Sequence, residues 1–126
     1  MKFFLAYSPA DKKYAASLAA EIEQRGASVW QDEGSLAPGD EWEATLREAL
    51  NDSGATILLL PREGARGANN AIFEAGAAKA LGKKVIVVSR GPGDREFPNN
   101  IADMAIFDAE NKPMQEIADT LVRLAV

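Results

Sequence analysis

Five short apolar runs separated by segments of helical periodicity constrain this chain more than any other feature. The runs lie in Lys2 to Tyr7 (Phe-Phe-Leu-Ala at its centre), Ala27 to Asp32, Ala55 to Leu60, Val85 to Val88, and Met104 to Phe107. Near-continuous apolar stretches of this length read as strands buried on both faces. Ser8-Pro9 closes the first run, Pro61 the third, and the Gly/Pro-rich stretch from Gly91 to Asn100 follows the fourth. Between the runs, Tyr14, Ala15, Leu18, Ala19 and Ile22 recur at helical spacing, as do Trp42, Leu46, Ala49 and Leu50. These spacings predict helices over Asp11 to Arg25 and Asp40 to Asn51, with two more over Asn69 to Leu81 and Pro113 to Leu124. Ser8 or Asp11 is a candidate cap for the first helix and Asp40 for the second; Gly26 and Gly82 supply stops.

Strands that alternate with helices predict an α/β fold with a parallel sheet covered on both faces. Five strands suit a flavodoxin-like, doubly wound five-stranded parallel sheet of order 2-1-3-4-5. Ligands then bind outside the carboxyl ends of the strands beside the switch point, here the loops after Tyr7, Asp32 and Leu60. The 126 residues form one domain, with no internal repeat or interdomain linker.

Composition removes several functions. A net charge of −5, with no run of Lys or Arg longer than a pair, argues against direct nucleic-acid binding. No cysteine and no histidine occur, which excludes a thiol nucleophile, a Ser-His-Asp triad, His- or Cys-ligated zinc and an imidazole base. No metal site is expected. Acid or base chemistry must fall to Asp, Glu, Tyr or Lys. The apolar start, Met1 to Ala6, reads as a strand rather than a secretory signal because charges follow at Asp11, Lys12 and Lys13. No apolar run approaches the roughly 20 residues of a membrane span.

One carboxylate stands out. Glu74 is the only acidic group within Ala71 to Leu81, between Phe73 and the small-residue run Ala75-Gly76-Ala77-Ala78. Ionising it there carries a desolvation cost unless a neighbour stabilises the charge. It follows the third strand closely enough to sit on the first turns of the next helix, at the carboxyl edge of the sheet. Taken alone, a helix carboxylate is more often solvated than catalytic. Trp30 and Trp42 read first as core or interface anchors, and Asp32 equally as a turn-former or a site residue.

Missing motifs narrow the choice further. A receiver domain needs a phosphoacceptor Asp at the end of the third strand, where Leu60-Pro61 stands. A P-loop needs Gly-Lys-Ser/Thr, and no such tripeptide occurs. The loop Ser8-Pro9-Ala10-Asp11 is too short and acidic for a flavin phosphate loop.

The run Phe3-Phe4-Leu5-Ala6-Tyr7-Ser8 with Asp11, then Val29-Trp30-Gln31-Asp32, Leu36-Ala37-Pro38-Gly39-Asp40-Glu41-Trp42 and Ala49-Leu50-Asn51-Asp52-Ser53, resembles the Toll/interleukin-1 receptor (TIR) domain pattern. Phe73-Glu74-Ala75-Gly76-Ala77-Ala78, followed by Gly82-Lys83-Lys84-Val85-Ile86-Val87-Val88, is similar to the bacterial branch of that family. The resemblance implies an NAD+ nucleosidase that cleaves the nicotinamide-ribose bond upon self-assembly, giving linear or cyclised ADP-ribose, with Glu74 as the catalytic residue. NAD+ is then a substrate, and no cofactor is implied. The resemblance makes Glu33, Gly34, Ser35, Leu36, Ala37, Pro38 and Gly39 the assembly loop, the family's BB loop. It sets Tyr7, Ser8, Asp32, Trp42, Asn70 and Phe97 around the substrate. Two positions depart from the family: Asn70 stands where many members have tryptophan, and Pro61-Arg62 where the loop usually begins with Ser.

In the family such domains are cytoplasmic effectors of bacterial antiphage defence, with partners that include a sensor domain or signalling-nucleotide receptor and copies of themselves, but neither nucleic acid nor membrane. The expectation is a TIR domain over 1–126, compatible with an amino-terminal module excised from a larger effector. Two alternatives stand beside it: a non-enzymatic TIR adaptor acting through TIR-TIR association, and a nucleoside deoxyribosyltransferase-like enzyme.

Overall fold

The computed structural model describes residues 1–31, 40–61, 68–90 and 104–125, apart from the side chains of 40–45 and 68–69. Within these, the elements in chain order are β1 (Lys2–Ala6), a 3-10 turn (Pro9–Asp11), α1 (Lys12–Gln24), β2 (Ser28–Gln31), α2 (Asp40–Asp52), β3 (Ala55–Leu59), α3 (Ala68–Ala80), β4 (Lys84–Ser89), β5 (Ala105–Asp108) and α4 (Met114–Ala125). The five strands are all parallel and lie in the order β2-β1-β3-β4-β5. This is the doubly wound arrangement read from the sequence.

Strand alternation divides the core into two layers. On one face Phe3, Leu5, Ile57, Leu59, Ile86 and Val88 pack under α1 and α4, which contribute Leu18, Ile22, Ile117 and Leu121. On the other, Phe4, Ala6, Leu58, Leu60, Val85 and Val87 pack under Leu46 and Leu50 of α2 and Ala71, Ala75 and Ala78 of α3. The period of two in a strand turns one apolar run toward both layers. In register, Leu5 of β1 faces Ile57 of β3, which faces Ile86 of β4, so the central strands are level where they end.

Two expectations need correction. The outer strands are not buried on both faces: β2 and β5 are edge strands, mostly exposed or half-buried, and Trp30 on β2 is 36% exposed, which removes the core reading of that residue and leaves the interface one. An apolar run alone does not distinguish an edge strand from a central one. Neither Ser8 nor Asp11 caps a helix through its side chain, because those side chains are engaged with each other and with Arg90. The glycine stops hold as expected. Gly82 has a φ of 76°, and the hydrogen bonds from Lys83 N to Ala78 O and from Gly82 N to Lys79 O close α3 in a Schellman turn.

One basic residue joins the two helices on the first face. Arg25, at the end of α1, pairs through Nε with Asp119 of α4, donates from NH2 to Gln115 O at 3.2 Å, and meets Glu21 Oε2 at 3.1 Å.

Candidate active site

Helix α3 can lie close to the sheet because its inner stripe is made of alanines. Ala71, Ala75 and Ala78 are each fully buried, and Glu74 shares their stripe at 3% exposure. Packing alone would be served by another alanine or a leucine at this position, so a carboxylate there calls for a polar role. Glu74 is the seventh residue of α3, about 9 Å from the start of the helix at ~1.5 Å per residue. The helix begins beyond the carboxyl end of β3 and runs back along the sheet. Glu74 therefore faces the sheet from the midpoint of this 13-residue helix, further along α3 than the first turns expected from the sequence. Phe73 beside it turns outward and is 53% exposed.

A second group of polar side chains gathers at the same edge on the opposite layer. Ser8, fully buried just after β1, donates to Asp11 Oδ2 at 3.3 Å. The other oxygen, Asp11 Oδ1, accepts from Arg90 NH2 at 2.8 Å. The Arg90 guanidinium in turn lies over the ring of Tyr14, 4.4 Å from its centroid. Burial pushes the Tyr14 phenol above its ordinary pKa; the Arg90 charge opposes this and the Asp11 charge adds to it. No motif singled out Arg90 or the polar end of Tyr14. The one local signal was a cation placed directly behind the buried run of β4.

The residues expected around a substrate divide as follows. Tyr7 is 6% exposed and belongs to the core under α1, while Ser8 stands at the mouth of β1. Glu74 lies on α3, whose buried alanines Ala71, Ala75 and Ala78 pack on the other face of the sheet. Asn70 is exposed on the first turn of α3. Trp42 is placed on α2 by its backbone. Asp32, the assembly loop from Glu33 to Gly39, and Phe97 lie outside the described residues. A shallow apolar groove runs between α2 and α3, lined by Leu46, Leu50, Phe73, Ala77, Ala80 and Leu81, with Arg47 at its side. Among the described residues no cluster of Asp or Glu is placed to hold a metal ion, and no helix is long and apolar enough to cross a membrane.

Comparison with known proteins agrees with this architecture. A solved structure, the CMP N-glycosidase BcmB of Clostridium botulinum, superposes with a TM-score of 0.64 over 98% of this chain and 99% of its own, at 19% identity. That likeness speaks to the fold. A curated relative, the uncharacterized protein y4cD of Sinorhizobium fredii (strain NBRC 101917 / NGR234), is 33% identical over 61 residues, 48% of this chain. The aligned part spans 10% of that relative's length. The family model described as TIR domain matches residues 3–124, almost from end to end. The chain belongs to the TIR domain family.

Proposed function

We propose that this TIR domain is an NAD+ glycohydrolase whose catalytic residue is Glu74, active when copies of the domain assemble. The observation that carries the reading is a carboxylate 3% exposed on the sheet-facing stripe of α3, in a helix whose other inward positions are alanines. The same fold in a CMP N-glycosidase supports chemistry at a nucleotide N-glycosidic bond.

The reaction asks little of the protein beyond electrostatics and orientation. The bond between ribose C1′ and the pyridinium nitrogen breaks, and its electron pair goes to that nitrogen, giving neutral nicotinamide. Positive charge builds on the ribose ring, and a water oxygen then bonds to C1′ and releases a proton. A carboxylate held beside the ring in a dehydrated cleft stabilises that charge, and removing such a group costs about 10²–10³-fold in turnover. Nicotinamide needs no protonation to leave, so the lack of histidine and cysteine is no obstacle.

Tyr7, Ser8, Asp32, Trp42, Asn70 and Phe97 complete the proposed substrate contacts, and Glu33 to Gly39 the assembly loop. The biological setting proposed is cytoplasmic antiphage defence, with the domain as the effector module of a longer protein that carries a sensor. Two substrates share the bond class, and a direct competition separates them. NAD+ and CMP are offered to tethered protein and the products are resolved by chromatography. Release of nicotinamide is expected; release of cytosine alone would move the assignment to a nucleoside monophosphate, and release of neither from well-assembled protein would favour an adaptor.

A further inference from the structure

Asp11 and Arg90 reach each other across a strand. Asp11 follows β1, Arg90 follows β4, and β3 lies between those strands in the sheet. Neighbouring strands are ~4.8 Å apart, so the two backbones stand on the order of 10 Å from one another. Their side chains meet above the carboxyl end of β3, with Arg90 NH2 2.8 Å from Asp11 Oδ1. The junction of β1 and β3 is the switch point, where doubly wound sheets open a crevice for ligands.

As a device for stability the cluster is poor. Its side chains are only 22% and 15% exposed, so both charges have lost much of their hydration, and such pairs add little net stability. Two neighbouring buried atoms, Arg90 Nε and Tyr14 Oη, have no hydrogen-bond partner among the described residues, which adds to the cost. As a device for fixing geometry it is well made. Each charged group is held by a second contact, Asp11 by the Ser8 hydroxyl and Arg90 by the Tyr14 ring. Little side-chain freedom is then left to lose when the pair forms.

We propose that Asp11 and Arg90 are positioning residues of the nucleotide crevice: their ion pair straps the loop after β1 to the end of β4 and sets the separation of the rims between which the substrate enters. This rests on the N-glycosidase reading, and it concerns binding rather than bond cleavage. Tyr7 and Ser8 ride on the strapped loop, so loosening the strap misplaces contacts that act equally on bound substrate and transition state. Such a loss raises KM and leaves kcat in place.

The test is a double-mutant cycle of Asp11→Asn and Arg90→Gln, read as KM and kcat for NAD+ and as Kd for NAD+ in the Glu74→Gln background, with melting curves setting a temperature at which every variant is folded. Each single variant is expected to raise KM and Kd about tenfold with kcat within about threefold, and the double variant to be no worse than either single. Additive losses, or folded variants that bind NAD+ as wild type does, would overturn the strap. A strap defect confined to Arg90→Gln, with Asp11→Asn silent, would also overturn it and point to direct contact between the guanidinium and the ligand. Wild type that binds NAD+ without cleaving it sinks the glycosidase reading and leaves the strap to be judged on Kd. Wild type that does neither sinks both.

Discussion

At the scale of single residues, Tyr14 and Asp119 give opposite pH signatures. The Tyr14 phenol is raised by burial, so the folded state holds its proton more tightly than the unfolded chain does. Its contribution to stability is complete below the ordinary tyrosine value of about 10 and is lost as pH rises through the higher folded value. Tyr14→Phe keeps a ring under Arg90, removes the buried hydroxyl, and is expected to flatten the alkaline decline in melting temperature while leaving stability at neutral pH unchanged or slightly higher. Asp119 is held below its ordinary value by the Arg25 hydrogen bond. Its contribution is present above the unfolded carboxylate pKa and is lost as pH falls through the lower folded one. Asp119→Asn should therefore shallow the loss of stability in acid, read as melting temperature from pH 6 down to 2. Glu74 was legible from sequence because it interrupts a run of small and apolar residues. The cluster of Ser8, Asp11, Tyr14 and Arg90 was not, because Arg90 is far from the other three in the chain and only the sheet order brings them together.

At the scale of elements, the terminators are as informative as the helices. Gly82 takes φ 76°, and a Cβ built there would meet nothing within 4 Å. The cost of Gly82→Ala is therefore purely conformational, expected at about 1 kcal/mol and measurable by urea denaturation with an unchanged slope. The five strands and four helices among the described residues were readable in order, and their ends fell within a residue or two of the observed ones. The burial of the outer strands was not readable, since a short apolar run such as Val29-Trp30 looks the same at an edge as at the centre. Helix α3 was recognisable from its length and its glycine stop rather than from a polar face, because its exposed side carries Phe73 and Leu81 as well as Lys79.

At the scale of the whole molecule, five strands alternating with helices pointed to the doubly wound 2-1-3-4-5 order, and that order determines where a ligand crevice opens. Part of the proposed substrate cleft and the proposed assembly loop belong to segments outside the described residues. If copies of the domain complete one another, specific activity should rise with protein concentration and level off once assembly is saturated; light scattering on the same samples gives the assembly curve against which to compare it. The central claim is that Glu74 does chemistry rather than packing. Nicotinamide release from NAD+ by tethered wild type and by tethered Glu74→Gln, matched for melting temperature and assembly, tests it most directly. A loss of about 10²–10³-fold or more is expected in the variant with the fold intact; turnover by the folded, assembled variant at the wild-type rate would show that Glu74 is not catalytic.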